Sequence, residues 1–147
     1  VPTGLTTLTA TYAQNDVIGG KLTFTNITRI GGGSGRIVAV IFTDKTITAA
    51  STCDLVLFNV DPTSSTFTDN AAITVNAADI PNACAWLTFA AADYTLFAAN
   101  KVAYKAINVP FKLPSGANLY GALILRTAGV PTWVSGDIQL TLIVAQD

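Results

Sequence analysis

The chain has 147 residues, of which 50% are hydrophobic and only 12% are charged, and its formal net charge is −1. It contains neither histidine nor glutamate, so all nine of its acidic residues are aspartates. Proton transfer near neutral pH is most often carried out by His, by Glu or by a Cys with a shifted pKa, so this composition excludes most hydrolase, transferase and metalloenzyme chemistry. The basic residues are dispersed and form no stripe able to neutralise phosphates, which argues against a nucleic-acid partner.

The low charge content points to a covered surface, since soluble domains carry about 25% charged residues. The longest uncharged runs, such as 83–92 and 113–125, are interrupted by polar residues, glycine or proline. They fall short of the ~20 apolar residues that a membrane-spanning helix needs. We therefore expect no membrane partner and a surface that other proteins partly cover. The N-terminus has neither the charged nor the apolar region of a signal peptide, which favours synthesis in the cytosol.

The first elements along the chain alternate apolar and polar residues, as half-buried strands do. Leu22 and Phe24 are predicted to share one face, whereas the threonines between and beside them share the other. The glycine-rich run 31–35 is interpreted as a hairpin tip. A phosphate loop is disfavoured there because no Lys-Ser/Thr pair follows and no helix begins.

The same alternation continues to the end of the chain, interrupted by turn signals at 61–62, 113–116 and 128–131. Pro110 lies inside an apolar run, and a proline in a strand is typical of a sheet edge or a bulge. The predicted strands are 5–12, 21–30, 36–44, 53–60, 72–76, 84–90, 102–112, 119–127 and 136–145.

About eight or nine strands joined by short turns predict an all-β fold, an antiparallel β-sandwich of jelly-roll kind. No linker, repeat or charge block divides the chain, so residues 1–147 are expected to form a single domain. Residues 1–8, with a proline, a glycine and several threonines, are interpreted as an extended N-terminal arm. Cys53 and Cys84 each begin an apolar run, which favours buried, reduced thiols over a disulfide.

The richest polar segment is 61–70. Asp61, Asp69 and Asn70 carry the oxygen ligands that calcium prefers, but their spacing is not that of a known calcium loop. Turn and capping roles are therefore favoured, and no metal and no cofactor are expected. Phe67, in the middle of this segment, is either plugged into the core or a contact anchor, and the first interpretation is favoured because buried aromatics dominate core energetics.

The tryptophans raise a carbohydrate-binding alternative, in which an exposed indole forms a platform for a sugar ring. Trp86 stands in an apolar run and is expected in the core. Trp133 follows Pro131 in a loop and is expected to be exposed, either as a sugar platform beside the 61–70 segment or as an interface anchor. No serine has a histidine base and no pair of aspartates is singled out, so no catalytic residue is predicted and the protein is not expected to be an enzyme.

Four segments together resemble a group of small virion proteins of tailed bacteriophages. They are residues 16–25 (DVIGGKLTFT), 61–72 (DPTSSTFTDNAA), 119–123 (LYGAL) and the closing 146–147 (QD). The resemblance implies a non-enzymatic structural protein of the head, a decoration or cementing protein on the capsid exterior that bridges and stabilises neighbouring capsid subunits. It implies the major capsid protein and other copies of the chain as partners, with the copies arranged as a homotrimer.

A cementing protein needs surface that becomes dry on assembly, and five apolar or aromatic residues are the interface candidates. They are Val1 and Leu5 of the N-terminal arm, together with Phe67, Tyr120 and Trp133. An arm of this kind commonly adds a strand to a neighbouring protein.

Overall fold

The structure, a computed structural model, describes residues 2–5, 10–46, 50–127 and 131–147. Eleven strands lie in these ranges, and eight of them have at least four residues. In chain order the strands are β1 (Pro2–Gly4), β2 (Ala10–Thr11), β3 (Val17–Phe24), β4 (Ser34–Asp44), β5 (Cys53–Phe58), β6 (Ala83–Phe89), β7 (Tyr94–Phe97), β8 (Asn100–Lys112), β9 (Leu119–Leu125), β10 (Thr132–Trp133) and β11 (Ile138–Gln146). Two single-turn 3₁₀ helices, Ile80–Asn82 and Ala91–Asp93, precede β6 and β7.

The long strands form two antiparallel sheets that pack as a sandwich. One sheet has five strands in the order β1-β11-β4-β8-β7, and the other has four in the order β3-β9-β5-β6. The short strands β10 and β2 pair as a separate ribbon. The predicted all-β antiparallel sandwich is confirmed, whereas its jelly-roll connectivity stays a prediction.

The core lies between the two sheets and is built from alternate residues of their strands. The ring of Phe42 in β4 lies 5.3 Å from that of Phe89 in β6 and 5.5 Å from that of Tyr94 in β7. Because Phe42 and Phe89 are almost completely buried, each contributes roughly 1.5–3 kcal/mol through the removal of its side chain from water. The period-2 pattern of the sequence therefore identifies the core-facing side of these strands.

Strand β3 begins four residues earlier than the predicted 21–30 and ends at Phe24. Gly19 and Gly20, which precede the predicted strand, form an irregularity within the observed one, with φ angles of 76° and 74°. The register against β9 shifts between Ile18 and Leu22. Glycine is required at position 19 because an added Cβ would lie 2.8 Å from the Cβ of Leu5.

Strand β4 carries a bulge in the middle of the five-stranded sheet. Ala39 pairs with a residue of β11 and a residue of β8, and so does Ile37, but Val38 between them pairs with neither neighbour. A bulge bends the strand that contains it and increases the local twist. The sheet is therefore expected to bend along the line through Val38.

Two further predictions have different outcomes. Residues 72–76 form only isolated bridges to other loops, so the strand predicted there is wrong. The edge position predicted for Pro110 is confirmed, because β7 pairs with β8 only at 100–103. In the part of the chain that the structure describes, the stretch of β8 that holds Pro110 has β4 as its only strand neighbour.

The described part of the predicted N-terminal arm lies against its own sandwich. Strand β1 pairs with β11, where Pro2 lies opposite Thr141. Leu5 is 2% exposed, and its backbone N–H donates to the carbonyl of Ile138 at 3.1 Å. Val1 and residues 6–8 lie outside the described residues.

Candidate interaction surface

The outer face of the four-stranded sheet is covered by the chain itself. Residues 59–79, here called the covering segment, lead from β5 towards β6. Phe67 of this segment is 8% exposed, and its ring centroid lies 5.9 Å from that of Phe58 in β5. Phe67 is therefore buried, as predicted, but it packs on the outer face of the sheet and not in the main core. Its neighbours form an apolar cluster separate from the main core, made of Val17, Val56, Phe58, Phe67, Ala122 and Ile124.

Two carboxylates fasten the covering segment at different places. Oδ1 of Asp69 accepts hydrogen bonds from the backbone N–H of Gly19 at 2.6 Å and from the hydroxyl of Tyr12 at 2.8 Å. Asp61 pairs with Nζ of Lys21 at 2.6 Å. The carboxylates thus face different partners, and nowhere in the described ranges do three His, Cys, Asp or Glu side chains gather to hold a metal ion. The polar residues of 61–70 serve to attach the segment to the sheet.

The outer face of the five-stranded sheet, by contrast, is open in the described structure. Residues such as Val40 and Phe42 point into the core, so the residues that alternate with them point outward. These outward residues are here called the open face: Thr95 and Phe97 of β7, Val102, Tyr104 and Ala106 of β8, Val38, Ile41 and Thr43 of β4, and Gln139, Thr141 and Ile143 of β11.

The open face exposes large apolar groups without a charged side chain among them. Tyr104 is 58% exposed, Ile143 38% and Val38 37%. A contiguous apolar area of this kind marks an interaction site when it lies on the surface of a soluble protein. Depletion of charge at the centre is also what distinguishes the buried core of a protein interface from ordinary surface.

Three of the five charged residues of β4 and β8 are directed away from the open face. Asp44 and Lys101 pair inside the sandwich at 3.3 Å, and both side chains are 3% exposed. Lys105 lies against Asp93 of a 3₁₀ helix at 2.8 Å. The remaining charged residues of β4 and β8 stand at one end of the strands: Arg36 and Lys112.

The β7–β8 hairpin extends the open face at its other end. Leu96 and Phe97 are 69% and 60% exposed, so the tip presents two large apolar side chains to solvent. The next residue, Ala98, has a φ of 54°, a left-handed conformation that alanine adopts at a cost of roughly 1–2 kcal/mol. The hairpin tip therefore combines exposed apolar groups with a strained backbone.

The five residues proposed from the sequence as interface candidates lie in different places. Leu5, Phe67 and Trp133 are buried within the chain, so they offer no contact surface in this conformation. Tyr120 is half-buried beside the covering segment. Val1 lies outside the described residues. Contact of any of the five with a partner stays a prediction, and the open face supplies surface that the sequence interpretation missed.

The expected positions of the two tryptophans are both wrong. Trp133 is 1% exposed and packs on Tyr12 with a centroid distance of 5.5 Å, whereas Trp86 is 55% exposed. Trp86 lies opposite Val56 on the outer face of the four-stranded sheet, at its β6 edge. The signal was present in the sequence, because Leu87 is core-facing and a strand neighbour of a core-facing residue points outward.

The thiols are free, as predicted. Cys53 is buried and Cys84 is half-buried. Burial raises the pKa of the Cys84 thiol to about 11, and burial raises the pKa of Cys53 as well. Both thiols are therefore protonated near neutral pH.

Comparison of the chain with known protein families, with curated proteins and with solved structures finds no match. Within the described ranges, no helix has the length and apolar character needed to cross a membrane.

Proposed function

We propose that the protein is a non-enzymatic structural protein of a bacteriophage virion, a decoration or cementing protein on the exterior of the capsid. Its partners are the major capsid protein and other copies of itself, arranged as a homotrimer. It acts by bridging neighbouring capsid subunits and so stabilising the shell. The proposal joins the resemblance of segments 16–25 and 61–72 to small virion proteins with the presence of the open face.

The single observation that supports this function best is the difference between the two outer faces. One sheet is covered by the chain's own segment, fixed by Asp69 and Phe67. The other leaves an uncharged surface with Tyr104 and Ile143 exposed. Apolar surface removed from water contributes about 25 cal/mol per Å², and weak contacts repeated over a lattice add up to firm attachment.

The test measures binding of the purified chain to empty shells assembled from the major capsid protein of the same genome. Tyr104→Asp and Thr95→Asp each place a carboxylate on the open face, where docking would bury it unpaired. We expect either change to weaken shell binding by at least about tenfold. Thr68→Asp is the matched control for Thr95→Asp, because Thr68 is also exposed but lies on the covering segment.

Co-sedimentation with shells gives occupancy, and circular dichroism verifies that each variant is folded. Electron microscopy of the decorated shells shows where the copies lie, and light scattering of the free protein reports the trimer. Absence of wild-type chain from the shells would overturn the proposal. Equal binding by the Thr95→Asp and Thr68→Asp variants would show that the open face does not contact the shell.

A further inference from the structure

Trp86 belongs to a polar group at the edge of the four-stranded sheet, beyond the residues that the covering segment hides. Trp86 and Thr88 are alternate residues of β6 and lie opposite Val56 and Asp54 of β5. Arg126 follows the last residue of β9 and reaches across to both strands. Together with Asn15, the residues Asp54, Trp86, Thr88 and Arg126 are here called the Trp86 cluster.

Hydrogen bonds hold the polar side chains of the cluster in fixed positions. The carboxylate of Asp54 accepts from Nε of Arg126 at 2.7 Å and from the hydroxyl of Thr88 at 2.6 Å. Nη1 of Arg126 donates to Oδ1 of Asn15 at 2.5 Å. The guanidinium carbon lies 5.7 Å from the centroid of the Trp86 ring. In the described contacts Nη2 of Arg126 has no acceptor, so a hydrogen-bond donor remains available beside the exposed ring.

This arrangement combines an exposed aromatic ring, which has the Arg126 guanidinium over one side, with pre-positioned polar groups. The face of an indole ring carries negative electrostatic potential, which attracts the slightly positive C–H groups on one side of a pyranose ring. Donors and acceptors held at the edge then meet the sugar hydroxyls, and no side chain has to be ordered on binding. The positive charge of Arg126 is balanced by Asp54, so the cluster does not select an anionic ligand.

We infer that the Trp86 cluster is a carbohydrate-binding site that takes a neutral pyranose ring stacked on Trp86, with Arg126 donating to a ring hydroxyl. The site goes beyond the proposed capsid function. It lies on the sheet opposite the open face, so a chain attached to a shell through the open face keeps the cluster available to sugars.

The experiment uses the two tryptophans as a built-in reporter. Trp133→Phe leaves Trp86 as the sole source of indole fluorescence in the chain. This change is expected to be tolerated because Nε1 of Trp133 is buried without a hydrogen-bond partner. A glycan array probed with the full chain identifies neutral saccharides, and titration of the best one should give a saturable change in Trp86 emission.

The control variants distinguish stacking of a sugar on Trp86 from nonspecific adsorption. Trp86→Ala should abolish retention on the array, and Arg126→Lys should weaken the titrated affinity by about tenfold, because the ammonium retains the charge but loses the planar donor arrangement. Tyr104→Ala removes an exposed aromatic residue from the open face and should change neither result. Chemical shift changes in a two-dimensional NMR spectrum should centre on Trp86 and Thr88.

Three results would overturn the inference: no retained glycan, retention of acidic glycans alone, or retention that Trp86→Ala leaves unchanged. None of them bears on the proposed capsid function, because shell binding by wild-type protein and by Trp86→Ala is measured separately.

Discussion

Asp44 and Lys101 form a buried ion pair. Their side chains are 3% exposed, and each has further hydrogen bonds. Oδ1 of Asp44 accepts from the backbone N–H and from the hydroxyl of Thr46, both at 2.8 Å. Nζ of Lys101 donates to the carbonyl of Thr46 at 2.6 Å. The pair thus ties the end of β4 to the start of β8.

Removal of one partner is expected to be far more harmful than removal of both. Asp44→Asn or Lys101→Met leaves an uncompensated buried charge and should lower the free energy of unfolding by about 3–5 kcal/mol. The double variant Asp44→Leu/Lys101→Met should recover most of that loss, because no buried charge remains. Urea denaturation with an unchanged m-value measures all three. Single variants within 1 kcal/mol of wild type, on the scale of a surface pair, would contradict this account.

At the scale of elements, strands with a clear alternation were predicted to within a few residues, and β4, β5, β6, β8, β9 and β11 are of this kind. The strand predicted at 72–76 has the same apolar alternation, with Ile73 and Val75, but these side chains pack against the outer apolar cluster. The sequence pattern records that a residue is buried on one side. It does not show whether the backbone pairs with strands of a sheet or packs across the face of a sheet.

The hairpin between β7 and β8 was missed because its turn lacks the usual residues. The turn is formed by Ala98 and Ala99, where hairpins of this length normally have glycine or asparagine. A positive φ at an alanine cannot be inferred from the sequence pattern, because the strands on either side of the turn impose that conformation.

We expect Ala98→Gly to stabilise the protein, because glycine adopts a φ of 54° without steric penalty. The gain should be up to about 1 kcal/mol, or a rise in Tm of about 3 °C for a chain of this size. Ala99→Gly is the matched control. Ala99 does not have a positive φ, so this change should instead lose about 0.5 kcal/mol through the added freedom of the unfolded chain. Differential scanning calorimetry distinguishes the two, and a lower Tm for Ala98→Gly would show that the strain is not present in solution.

For the molecule as a whole, the overall class was predictable but the division of its surface was not. Alternating strands and short turns define an antiparallel sandwich. Which outer face is covered depends on how residues 59–79 fold back, and that is decided by particular contacts such as those of Phe67 and Asp69. The burial of Trp133 has the same origin, because the local sequence around its ring does not reveal that Tyr12 packs against it.

The N-terminal segment has a structural role that its sequence did not indicate. Leu5 fills the core at the edge of the sandwich and approaches Gly19 closely. Leu5→Ala should therefore reduce the free energy of unfolding by about 2–5 kcal/mol, whereas Leu96→Ala, at a residue 69% exposed, should change it by less than about 0.5 kcal/mol. Chemical denaturation tests this, and equal stability of the two variants would restore the interpretation of this segment as a free arm. Deletion of residues 1–8 should accordingly weaken the fold as well as any binding.

The unpaired Val38 has a geometric consequence for any partner of the five-stranded sheet. The bend expected at this residue would separate two parts of the outer side of the sheet, and the paired residues Ile41 and Tyr104 lie on one of them. A flat partner surface would contact only one of these two parts. A partner that contacts the whole width of the sheet must have a surface curved to match the bend. The shape of the sheet therefore restricts which partners fit, in addition to the chemistry of its side chains.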